Sequence, residues 1–72
     1  MSEQIAIRGG TIRLGQLLKL AGVADSGAEA RELLAAETVL VNGERETRRG
    51  RQLHPGDEVR ASGRELHLTE MN

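Results

Sequence analysis

Residues Thr38 to Asp57, TVLVNGERETRRGRQLHPGD, decide how this chain is read. Val39 and Val41 alternate with Thr38, Leu40 and Asn42, the two-residue period of a strand with one face on a core. Asn42-Gly43 follows at once. Both residues tolerate positive φ, so the pair is a strong short-range hairpin signal. Four arginines then fall within seven residues, Arg45, Arg48, Arg49 and Arg51, and only Glu46 opposes them there. The stretch closes through Leu53 into a second turn at Pro55-Gly56-Asp57. Its apolar residues are expected to anchor it while the arginine cluster is held out toward solvent.

On the C-terminal side, Glu58 to Ala61 alternates, Ser62-Gly63-Arg64 turns, and Glu65 to Thr69 alternates again. This pattern predicts a small antiparallel pair. On the N-terminal side, Ser26 with Glu29 three residues on is a capping-box start for a helix. Ala30, Leu33 and Leu34 form its buried stripe, and it ends near Ala36. Glu37 falls where glycine is the easier terminator, so mild strain or a frayed end is expected there. An earlier helix is predicted from Leu14 to Ala21, because Leu14, Leu17, Leu18 and Ala21 are spaced i, i+3, i+4, i+7. Lys19 points away from that stripe, and Gly22 stops the helix. Ile5 and Ile7 mark a short first strand from Gln4 to Arg8, before a turn at Gly9-Gly10. Met71-Asn72 is expected to be loose. The predicted fold class is α+β, with two short helices packed on one side of a small antiparallel sheet.

Composition narrows the function. Seventy-two residues form a single expected domain, 1–72. A chain of this size buries only about 60% of its unfolded surface, so its stability margin is thin. Without cysteine it has neither a disulfide nor a thiolate metal site. Without Phe, Tyr or Trp the core must be aliphatic, and the aromatic base-stacking platform of many single-strand binders is missing. No run is apolar enough for a membrane span, and MSEQIAIRGG has no signal-peptide apolar region, so a cytoplasmic protein is expected. Net charge is −1, which argues against bulk attraction to a polyanion, but the charge is segregated. From Leu20 to Glu37 the acids Asp25, Glu29, Glu32 and Glu37 face Arg31 alone. From Arg45 to Arg51 the balance reverses, which points to one functional face. His54 and His67 stand in different elements without metal-ligand spacing, so no metal, cofactor or catalysis is expected.

These pieces together resemble the RNA-binding module of ribosomal protein S-four, the alpha-L motif, over a motif core of residues 12–60. The likeness is greatest to the small stand-alone bacterial YbcJ-like proteins. It is carried by Leu14-Gly15-Gln16-Leu17-Leu18-Lys19, Ser26-Gly27-Ala28-Glu29-Ala30-Arg31, Val39-Leu40-Val41-Asn42-Gly43-Glu44, Arg48-Arg49-Gly50, and Leu53-His54-Pro55-Gly56-Asp57, in that order. The resemblance implies RNA lying across the second helix and the loop after Val-Asn-Gly. Carried over by position, it implies contacts from Lys19, Ser26, Gly27, Arg31, Asn42, Gly43, Arg45, Arg48, Arg49 and Arg51. The chain departs from the stand-alone pattern at Ala28 and Glu37, where glycine is usual, and at Gln52, where lysine is usual. Leu17 and His54 stand where aromatics are common.

The function expected from this resemblance is a non-catalytic module, a monomer, that binds structured RNA, ribosomal or transfer, with association with the ribosome among the expectations. Arginine suits the task, since it stays charged and offers a planar fork to phosphates. The acidic second helix shifts the weight to the arginine loop. Two alternatives stay open. A helix-turn-helix DNA binder fits Gln16 to Leu34, although Ser26-Gly27-Ala28-Glu29 reads few base edges. A ribosome-associated protein-interaction module would use both charge patches.

Overall fold

Asn42 and Gly43 form the predicted hairpin turn, with φ of 51° and 85°. The turn joins β3 (Leu40–Val41) to β4 (Glu44–Arg45), with Leu40 opposite Arg45 and Val41 opposite Glu44. The computed structural model describes residues 2–36 and 38–71. The other elements are β1 (Ser2–Ile7), β2 (Ile12–Arg13), α1 (Leu14–Leu20), α2 (Gly27–Ala35), β5 (Gln52–Leu53), β6 (Glu58–Ala61) and β7 (Arg64–Glu70). Glu37 and Asn72, where a frayed helix end and a loose terminus are expected, lie outside the described residues.

Five strands form one sheet in the order β1-β7-β6-β3-β4. β3, β4, β6 and β7 pair antiparallel, as the alternation predicts. The first strand corrects the expectation of an antiparallel sheet. β1 runs parallel to β7, with Ser2 opposite Glu65 and Ile7 opposite Glu70, so the sheet is mixed. The crossover from β1 to β7 spans the whole intervening chain, and Arg64 fastens it with two bonds to the Glu3 carboxylate at 2.7 and 2.6 Å. β2 and β5 make a separate two-residue ladder, Ile12 opposite Leu53 and Arg13 opposite Gln52.

The helices form because their apolar residues repeat on one face. Leu14, Leu17 and Leu18 of α1 and Ala30 and Leu34 of α2 are buried against Val39, Val41, Leu53, Val59, Leu66 and Leu68. Leu33 and Ala21 are only partly buried at the edge of this cluster. The core is wholly aliphatic, and each fully buried Leu or Val contributes about 1.5–3 kcal/mol of transfer free energy. Ser26 Oγ accepts the Glu29 N–H at 3.1 Å and caps α2. The Glu29 carboxylate in turn accepts the Asp25 N–H at 3.3 Å, one residue before the predicted capping-box partner. Thr38 Oγ1 donates to the Leu33 carbonyl at 3.2 Å and ties the exit of α2.

Residues directly opposite on neighbouring strands share a face. Val41 and Val59 are opposite and buried, so Leu40, Arg45 and Arg60 stand together on the other, outer face of the sheet. No described helix is long and apolar enough to cross a membrane.

Candidate nucleic-acid interface

A short helix leaves its first N–H groups without intrahelical partners. In α1 the arginine loop supplies them. Leu14 N–H donates to the Arg51 carbonyl at 2.8 Å, and Gly15 N–H donates to the Arg49 carbonyl at 2.9 Å. The loop backbone is therefore seated on the start of α1. Gly15 makes this possible, because a Cβ there would collide with Arg49 Cγ and crowd Arg49 Cδ at 3.2 Å. Gln16 Oε1 accepts the Arg13 N–H at 3.3 Å and orders the residue just before the helix.

The loop's second anchor is Glu46, 6% exposed and the only buried charged residue among those described. Its backbone N–H donates to the Val39 carbonyl at 3.0 Å, which continues the β3–β4 pairing. Its carboxylate accepts five hydrogen bonds: from Thr47 N at 3.1 Å, Arg48 N at 3.2 Å, Arg48 Nε at 3.1 Å, Arg48 Nη2 at 3.1 Å and Arg51 Nη1 at 2.8 Å. The side-chain bonds from Arg48 and then Arg51 outweigh the opposing effect of burial and bring the Glu46 carboxyl from 4.5 down to about 2. Arg45, Arg48 and Arg49 are exposed, as expected of the cluster, and the expectation of arginines held out toward solvent is corrected only in that two of the four are tied to an acid. Arg48 and Arg51 fold back on a buried acid, and Arg51 is only 33% exposed.

Between α1, α2 and the loop lies a concavity of about 280 Å³, lined by Arg13, Gly15, Gln16, Lys19, Gly27, Ala30, Arg49 and Gly50. Three cations meet there, Arg13 from β2, Lys19 from α1 and Arg49 from the loop, and among the described residues no carboxylate lines it. Small residues on its walls, Gly27, Ala30 and Gly50, leave room for a ligand backbone to approach, whereas the space over Gly15 is filled by Arg49. Nothing among the described residues pairs a carboxylate with any of the three cations.

The residues singled out in the sequence are thus divided. Lys19, Gly27 and Arg49 come together in the groove. Arg31, exposed and one turn after Gly27, lies on the same side of α2 beyond the lining. Arg48 and Arg51 stand behind Arg49 on Glu46. Arg45 points to the outer sheet face beside Leu40. Ser26 is spent on its cap and borders a different hollow, lined also by Glu29 and Glu32. Asn42 bridges two turns: its Nδ2 donates to Asp57 Oδ1 at 3.1 Å, and its Oδ1 accepts the Glu58 N–H at 2.9 Å. Asp57 also accepts the His54 N–H at 2.7 Å. Burial pushes the Asp57 carboxyl up, but the bonds from His54 and Asn42 more than offset this and lower it. Gly43 is exposed in its turn.

Sequence reasoning missed Arg13, Gln16 and Gly50. A signal for two of them was present. Arg13, Gln16 and Lys19 follow one another at intervals of three on the helix side opposite the leucine stripe.

This geometry coincides with likeness to known proteins. The chain is 48% identical over 63 residues to the "Probable ribosome maturation protein RlbA" of Bacillus subtilis (strain 168), which covers 88% of this chain and 89% of that protein. A family profile described as "S4 domain" matches residues 5–69, so both helices, the arginine loop and most of the sheet fall within it, and the chain belongs to the S4 domain family.

Proposed function

We propose that this protein is a non-catalytic RNA-binding module with a ribosome-related role, and that structured RNA lies in the groove between α1, α2 and the arginine loop. One observation carries this reading: Arg13 and Lys19, from β2 and the α1 that continues it, meet Arg49 of the distant loop in one concavity that no described carboxylate lines. Two of these cations are guanidinium groups, which match phosphate oxygens in a planar fork. With a net charge of −1, attraction must come from this local field rather than from the molecule as a whole. Membership of the S4 domain family supports the reading, as does likeness to a protein named for ribosome maturation. That name favours ribosomal over transfer RNA as the ligand.

In this reading Arg13, Lys19 and Arg49 contact phosphate, Gly27 and Gly50 admit the backbone, and Arg31 extends the track along α2. Glu46, with Arg48 and Arg51, sets the shape of the loop. Ser26, Asn42 and Gly43 hold the framework, and Arg45 is remote. The module acts as a cytoplasmic monomer. Specificity follows RNA shape, since A-form helices expose little sequence to side chains.

The test is a titration of the protein against structured RNA and against duplex DNA of equal length, at several salt concentrations. Three phosphate contacts predict a log–log salt slope of about −2 to −3, with RNA bound more tightly than DNA. The double variant Arg13→Glu, Lys19→Glu should abolish binding while the circular dichroism spectrum stays unchanged. An unaffected double variant, or no RNA binding at low salt by the parent protein, sinks the reading.

A further inference from the structure

We propose that Arg48 is a fixed stacking platform for an unpaired nucleobase, so that the preferred ligand is an RNA stem interrupted by a bulged or looped-out base. The inference rests on the RNA-binding reading above and names the part of the RNA that this loop recognises.

Three observations carry it. First, the chain has no Phe, Tyr or Trp, so a base can find a planar partner mainly in a guanidinium group. Second, Arg48 is held as a plane. Its Nε and Nη2 donate side by side to the two oxygens of Glu46, both at 3.1 Å, which fixes the orientation of the guanidinium. Glu46 is itself locked by Arg51 Nη1 at 2.8 Å and by the backbone N–H groups of Thr47 and Arg48. Third, the pair is half sunk and half open. The Glu46 side chain is 8% exposed, whereas that of Arg48 is 73% exposed.

That combination suits stacking better than phosphate binding. The Nε–Nη2 edge of Arg48 is already engaged by a carboxylate, which offsets its charge. What remains accessible is the flat face and the outer Nη1 edge, a surface of reduced net charge that favours a base over a phosphate. A plane held before the ligand arrives loses little rotamer freedom on contact, so more of the stacking energy appears as affinity. Arg48 is also the residue next to Arg49, which lines the groove. The proposal places the phosphate at Arg49 in the groove and the neighbouring base at Arg48, outside the groove lining and one residue away along the loop. Fully paired stems keep their bases stacked inside, and only a bulge or loop offers one outward.

The experiment uses two RNA hairpins of the same length, one fully paired and one with a single bulged 2-aminopurine. The protein should bind the bulged hairpin about fivefold to tenfold more tightly, the lower range for stacking one base. The fluorescence of 2-aminopurine should fall on binding as it stacks. Arg48→Lys keeps the charge but has no plane. It should bring the two hairpins to equal affinity and lose the quench, while residual binding of the paired hairpin shows that the loop is still folded. Arg49→Lys keeps the platform and should keep the quench. The proposal is overturned if the parent protein shows no preference and no quench, if Arg48→Lys retains both, or if Arg48→Lys weakens both hairpins equally. If the parent protein binds neither hairpin, the RNA-binding reading falls as well.

Discussion

Gly15 and Arg49 are interlocked: the Gly15 N–H donates to the Arg49 carbonyl at 2.9 Å, and the Arg49 side chain occupies the space that a Cβ at position 15 would need. One bare backbone position therefore decides both where the arginine loop rests and where one of its charges points.

Gly15→Ala tests that interlock. Alanine gains about 1 kcal/mol of helix propensity, while overpacking against Arg49 costs about 1–3 kcal/mol. The net loss of stability in a urea titration should therefore be small, no more than about 2 kcal/mol. RNA affinity should fall much further, because Arg49 is displaced from the groove. Unchanged affinity would show that Arg49 does not bind RNA from its present position.

The groove and the outer sheet face separate by salt dependence. Arg13→Ala, Lys19→Ala and Arg49→Ala should each reduce the steepness of the log–log salt plot by about 0.7 to 0.9. Arg45→Ala should leave it alone, because Arg45 shares the far face with Leu40 and Arg60. A slope that responds to Arg45 as strongly as to Arg49 would place the RNA elsewhere.

Glu46 makes the loop sensitive to acid. Its carboxyl lies at about 2 in the folded protein against an ordinary 4.5. A group depressed on folding stabilises the fold fully above its unfolded value, and that contribution is lost as pH falls toward the folded value. The stability supplied by Glu46 should thus be complete above pH 4.5 and decline between there and about 2. Glu46→Gln should be less stable at neutral pH and show a flatter decline in thermal midpoint over that window. Parallel acid profiles for parent and variant would contradict this assignment.

Ser26 separates a cap from a contact. Ser26→Ala removes the bond to Glu29 N–H and should cost about 1 kcal/mol in chemical unfolding. RNA affinity, measured where both proteins are folded, should stay the same. A larger loss in binding than in stability would return Ser26 to the interface.

How much of this was legible depends on how local each determinant is. The hairpin was readable because Asn42-Gly43 carries its own turn geometry, and both helices because their leucines repeat within a few residues. The parallel pairing of β1 was not, since nothing in Ser2 to Ile7 specifies a partner near the other end of the chain. Lys19, Gly27 and Arg49 were identified singly, and only the docking of the loop on α1 brings them together. Glu46 was visible as the lone acid among four arginines. Its burial was not, because that depends on β4 leading the chain back toward the core.

The union of the first strand with the last sets an order of events during synthesis. Glu3 and Arg64, which join β1 to β7, are separated by 61 positions. As the chain emerges from a ribosome, the helices and the Asn42-Gly43 hairpin can form early from neighbouring residues, whereas β1 has no strand to rest on until Arg64 to Glu70 follow. Closing so long a loop is slow. A nascent chain stopped before β7 would hold Ile5 and Ile7 on a strand without its neighbour.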